Sequence, residues 1–155
     1  MKFKTASLGI VILAAIVSIG FYVFANPFKS NTQIFTESLR DLASKSGDLT
    51  RNYQEEVGKW NMKELDNLTM VSITDRYLSQ FAELENEAKA LDVPNEYENI
   101  RDSFVSSVES EASSYLHFKN YLISGNKTED QLSNDNLAVA FKQEMVYADF
   151  LSKHH

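Results

Sequence analysis

The chain has 155 residues, 15 Lys+Arg against 22 Asp+Glu for a net charge of −7, and no cysteine. Without cysteine it has no disulfide framework and no thiolate nucleophile or metal ligand, and its acidic balance argues against a nucleic-acid partner. Two prolines and five glycines are few turn residues for a sandwich or barrel, so the composition favours helices.

Residues 1–7 carry Lys2 and Lys4 and no acid. Leu8 to Ala25 follows, LGIVILAAIVSIGFYVFA, eighteen residues without a charge. At 1.5 Å per residue this run meets the roughly 20 residues that a hydrocarbon core about 30 Å thick requires. Phe21, Tyr22 and Phe24 gather at its far end, where aromatic rings favour the headgroup zone. The run is read as a transmembrane signal-anchor. The lysines before it keep the N-terminus cytoplasmic and place residues 26–155 outside. The expected location is therefore the cell membrane, single-pass. The alternative is a secreted chain cleaved after Ala25, because Val23-Phe24-Ala25 has the spacing of a processing site. Beyond the run, 13 Lys+Arg face 22 Asp+Glu once Lys2 and Lys4 are set aside.

The exported part reads as four amphipathic helices. Asn26-Pro27 suits the start of the first, over about 27–58, with Phe35, Leu39, Leu42, Ser46, Leu49 and Tyr53 as its stripe and Gly58 as its stop. A polar link carries Trp60, Met62, Leu65 and Leu68. The second helix covers about 69–91, capped by Thr69 or Ser72, with Met70, Tyr77, Phe81, Leu84, Ala88 and Leu91 inward. Pro94 opens the third, about 94–124, with Tyr97, Ile100, Phe104, Val108, Tyr115, Phe118 and Leu122 on one face. Gly125-Asn126 ends it, and a polar loop leads to the fourth, about 133–152, with Leu137, Phe141, Met145, Ala148 and Leu151 inward. Short connections make an all-α, antiparallel four-helix up-down bundle the economical fold. Offset by 67 residues, Gly58 matches Gly125 and Leu65 matches Leu132, which leaves a duplicated hairpin open.

No glycine-rich phosphate loop, nucleophile elbow or HExxH is present, and no Glu-x-x-His of the kind that builds di-iron sites in bundles. No enzyme activity and no cofactor is expected. One residue breaks the pattern: Glu111 falls on the inward stripe of the third helix. Folding the fourth helix back about the predicted loop puts it level with residues near 146, close to Glu144. The two carboxylates are candidates for a metal site or a shared proton, set against a placement at the bundle edge, which is the expectation here. Tyr97, Tyr115 and Tyr121 are candidates for lining a ligand pocket. The serines at 103, 106, 107, 110, 113 and 114 form either a solvated face or a surface for close helix docking. Asn67-Leu68-Thr69 and Asn126-Lys127-Thr128 carry the glycosylation pattern in predicted loops.

The layout of basic start, anchor and helical bundle resembles the extracytoplasmic sensing domains of chemoreceptors and sensor kinases. The resemblance lies in architecture and implies no site residue. These readings together point to a non-enzymatic, membrane-anchored interaction protein, an accessory or docking subunit of a membrane or cell-surface complex. A small-ligand-binding bundle is the second reading and a carboxylate metal-binding bundle the third.

Overall fold

The computed structural model describes residues 29–154. The Leu8–Ala25 run, the orientation argued from Lys2 and Lys4, and the Asn26-Pro27 helix start lie outside these residues. No helix among those described is long and apolar enough to cross a membrane.

Four long helices make up the chain from there: α1 over Asn31–Asn61, α2 over Asn67–Lys89, α3 over Glu98–Ser124 and α4 over Lys127–Lys153, with one 3-10 turn at Asn95–Tyr97 leading into α3. Their ends follow local chemistry. Ser30 accepts from the Gln33 amide while the Gln33 side chain reaches back to the Ser30 amide, a capping box. Asp66, not Thr69 or Ser72, caps α2 by accepting from the Thr69 N–H at 2.7 Å.

Gly58 does not stop α1. The helix runs on to Asn61, because buried Val57 and the Trp60 ring packed on Phe118 outweigh a glycine cost of about 1 kcal/mol. Termination falls instead on Lys63, which sits at φ 62°. Its N–H donates to the Trp60 carbonyl and that of Glu64 to Lys59, the two bonds of a Schellman ending. The matching of Gly58 to Gly125 does not hold, since Gly125 has a left-handed φ of 67° just past the end of α3.

The polar loop predicted between 125 and 133 is mostly helix. Asn126 accepts from the Thr128 N–H, and Glu129 and Asp130 occupy the first turn of α4, where negative charge suits the helix dipole. Two residues therefore connect α3 to α4.

Cross-helix contacts give the register of an up-down bundle. Lys45 pairs with Glu87 and Tyr53 with Thr74 between α1 and α2; Lys119 pairs with Asp75 and Lys89 with Glu109 between α2 and α3. Ser107 donates to the Ala140 carbonyl at 2.9 Å, and Ser114 meets Ser133 at 3.2 Å, so α3 and α4 run antiparallel in close contact. The small serine face of α3 is what lets them approach: it is a docking face, and α4 occupies it. α1 and α4 have little backbone contact and meet mainly at one end. There Phe35, Tyr97, Phe150 and His154 stack and the Arg40 guanidinium donates to the His154 carbonyl at 2.7 Å.

Phe35, Leu39, Tyr53, Met70, Phe81, Phe104 and Val108 are the most deeply buried of the large apolar side chains. The predicted inward stripe holds for α1, α2 and α3 but not for α4. Leu151 is buried as expected, but Phe141 and Met145 face solvent, and Ala140, Tyr147 and Phe150 are buried instead. The serine face of α3 selects this rotation, because Ala140 fits a close approach that Phe141 does not.

Candidate functional site

Glu111 lies on α3 midway along the bundle and is buried at 7% exposure. The same stripe that brings Phe104, Val108 and Tyr115 inward brings the carboxyl with them. Its partners come from two helices. The Tyr115 hydroxyl, one turn on, donates to Oε1, and the Thr50 hydroxyl of α1 lies 2.7 Å from the same oxygen. Thr50 Oγ1 is also 2.9 Å from the Ser46 carbonyl. A threonine hydroxyl has one hydrogen and cannot donate to both at once. A protonated Glu111 resolves this: the ionised carboxyl would take the Thr50 hydrogen, whereas the acid supplies its own and leaves Thr50 to donate to Ser46.

The electrostatics agree. Burial pushes Glu111 up to about 7, against the lowering effect of its bonds to Tyr115 and Thr50, and the Glu144 charge adds a smaller push in the same direction. Burial raises Tyr115 well above the usual phenol range, and the neighbouring Glu111 carboxyl adds to that. Around this pair the polar layer continues: the Tyr53 ring packs on Tyr115 with centroids 3.9 Å apart, and its hydroxyl meets Thr74 Oγ1 at 3.0 Å. Thr74 spends its own hydrogen on the Met70 carbonyl, so Tyr53 is the donor.

The expected edge placement is thus overturned for Glu111. Glu144 is half-buried, and burial raises it too. The two carboxyls share no hydrogen bond. With only two residues between α3 and α4, the Ser107–Ala140 and Ser114–Ser133 contacts bring Glu111 level with about Asn136, not with 146. Glu144 sits about two turns farther along α4 and acts on Glu111 through its charge. Among the described residues no group of three or more His, Asp or Glu is gathered to hold a metal ion.

The three tyrosines are not brought together. Tyr97 stacks with Phe35 and Phe150 at one end, Tyr115 is in the middle, and Tyr121 packs on Phe118 toward the other end. Between Tyr53, Gln54, Tyr115 and Leu137, at the open seam of α1 and α4, lies a cavity of about 30 Å³. That is room for a water or two, not for an organic ligand. Asn67 braces the far end of the bundle, accepting from the Trp60 indole at 2.9 Å and donating to the Leu122 carbonyl at 3.0 Å. Asn126, the other glycosylation candidate, caps α4. His154 is held by Phe150 and Tyr97.

Sequence reasoning missed the outer side of α4. Leu132, Val139, Phe141, Met145 and Val146 are between 37% and 60% exposed, half of the large apolar side chains left in solvent among the described residues. Leu132, Val139 and Val146 recur every seven residues and make one narrow line along the helix. The spacing was present in the sequence. Beside the line, between α3 and the C-terminal half of α4, is a hollow of about 550 Å³ bordered by Ile100, Met145, Val146 and Phe150.

No protein-family model matches the chain, and neither a curated protein nor a solved structure matches it.

Proposed function

We propose that the chain is a non-enzymatic interaction protein, anchored in the cell membrane through Leu8 to Ala25, whose extracytoplasmic bundle docks a protein partner on the outer side of α4. The observation that carries this reading is the arrangement of α4, which keeps Glu144 half-buried while Phe141, Met145 and the Leu132, Val139, Val146 line face water. Leaving large apolar side chains exposed along one helix forgoes burial that a partner surface would supply, and faces of this kind serve as interaction sites. The eighteen uncharged residues before the bundle support the anchor, and the acidic body supports a protein rather than a nucleic-acid partner. The three dispersed tyrosines and the small central cavity favour this reading over a small-ligand pocket.

The test is native sizing of the full chain after mild detergent extraction. The protein should remain in membranes washed with carbonate and should run as an assembly larger than a single chain. Val139→Glu with Val146→Glu should return it to the single-chain size while leaving its helix content unchanged. A wild-type protein that already runs as a single chain refutes docking through α4, and a mature N-terminus at Asn26 refutes the anchor.

A further inference from the structure

We infer that the partner seated on the outer side of α4 is a second copy of this chain, bound antiparallel, helix against helix, about a two-fold axis at Val139. The inference rests on the interaction reading above and names its partner. Three observations carry it.

The first is the line itself. Seven-residue spacing drifts by only about 20° per step on a helix, so Leu132, Val139 and Val146 lie nearly along one edge of α4. A two-fold axis perpendicular to α4 at Val139 sets Val139 against its own copy and sets Leu132 against Val146 of the second copy, twice. The patch is thereby self-complementary, as an isologous interface must be.

The second is charge. Asp135 and Lys142 flank the line on the same side, and both are exposed. Neither makes an ion pair among the described residues, although six other lysines do. At 1.5 Å per residue Asp135 lies about 6 Å before Val139 and Lys142 about 4.5 Å after it. The two-fold operation keeps them on one side of the interface and brings Asp135 level with Lys142 of the second copy to within about 1.5 Å along the axis. Two equivalent ion pairs form. Parallel pairing would instead set both charges against the neutral Asn136 and Gln143 of the second copy, so the charges choose the antiparallel sense.

The third is the hollow. Leu132 of the second copy arrives at the level of Val146, at the mouth of the space bordered by Ile100, Met145 and Phe150. A branched apolar side chain there fills space that the single copy leaves open. Pairing in this sense directs the two Ser30 ends oppositely.

The chain has no cysteine, which makes the test direct. Val139→Cys in the full-length protein in mild detergent should oxidise to a disulfide-linked dimer, since the two sulfurs meet at the axis. Glu83→Cys, on the exposed face of α2, should stay monomeric. Adding Asp135→Lys or Lys142→Asp to Val139→Cys should lower the dimer yield at a given concentration, on the order of tenfold, because each reversal turns two attractions into two repulsions. Combining the two reversals should restore it, which a merely sticky surface would not do. Cross-linking at Val139 no better than at Glu83, or a double reversal without recovery, overturns the inference. If the native assembly then still exceeds one chain and still dissolves on Val139→Glu with Val146→Glu, the interaction reading stands and its partner is a different protein. If the native protein runs as one chain, both fall.

Discussion

Replacing Glu111 by glutamine tests the buried acid. The folded carboxyl sits at about 7, against 4.5 for the free group. Its raised value means that the folded chain holds the proton more tightly than the unfolded chain. The stabilisation is complete below about 4.5, is lost progressively as pH rises through about 7, and changes no further above it. At about 1.36 kcal/mol per unit, the loss between pH 5 and pH 7 is about 2 kcal/mol. Glutamine is close to isosteric and stays neutral; its amide oxygen accepts from Tyr115 but, unlike the acid's O–H, cannot donate to Thr50. Glu111→Gln should therefore lie within about 1 kcal/mol of the wild type at pH 5 and exceed it by about 2 kcal/mol at pH 7. Glu144, also raised by burial, should leave a residual slope of the same sign in both proteins. Urea unfolding followed by far-ultraviolet circular dichroism at the two pH values measures the difference. Parallel pH dependences for the two proteins, or a glutamine variant weaker at both, would refute a protonated Glu111 in the core.

Two other expectations concern stability alone. Phe81 and Phe104 are each fully buried, and truncation of either to alanine should cost about 3–5 kcal/mol; losses below about 1 kcal/mol at both would mean the centre of the bundle lies elsewhere. Lys63 ends α1 at φ 62°, where a side chain is strained by about 1–2 kcal/mol, part of which glycine would give back as unfolded-state entropy. Lys63→Gly should raise stability by up to about 1 kcal/mol in the same urea assay, and a loss of stability would show that the Lys63 side chain matters more than its backbone.

Much of the bundle is legible in the residues taken one helix at a time. A period of 3.6 in Phe35, Leu39, Leu42 and Tyr53, in Met70, Tyr77, Phe81 and Leu84, and in Phe104, Val108, Tyr115 and Phe118 sets which face each of the first three helices turns inward. It also placed Glu111 on the inward face, because position on a helix is geometry and ignores side-chain chemistry. Helix ends were harder, since caps and stops act through effects near 1 kcal/mol: tertiary packing overrode Gly58, while Lys63, Asp66 and Asn126 set the ends in place of neighbouring residues with similar propensity.

The rotation and register of α4 belonged to the tertiary structure. Hydropathy alone favoured Phe141 and Met145 inward; the serines of α3 demanded a close backbone approach and took Ala140 in their place. The connection of two residues moved Glu111 from the level of Glu144 to that of Asn136, and only the packing of α1 against α3 supplied Thr50 as its partner. A buried carboxyl takes its protonation state from the groups that enclose it. Tyr115 is one turn away on the same helix, but Thr50 comes from 61 residues away in the chain, so no local pattern in the sequence could carry the whole answer.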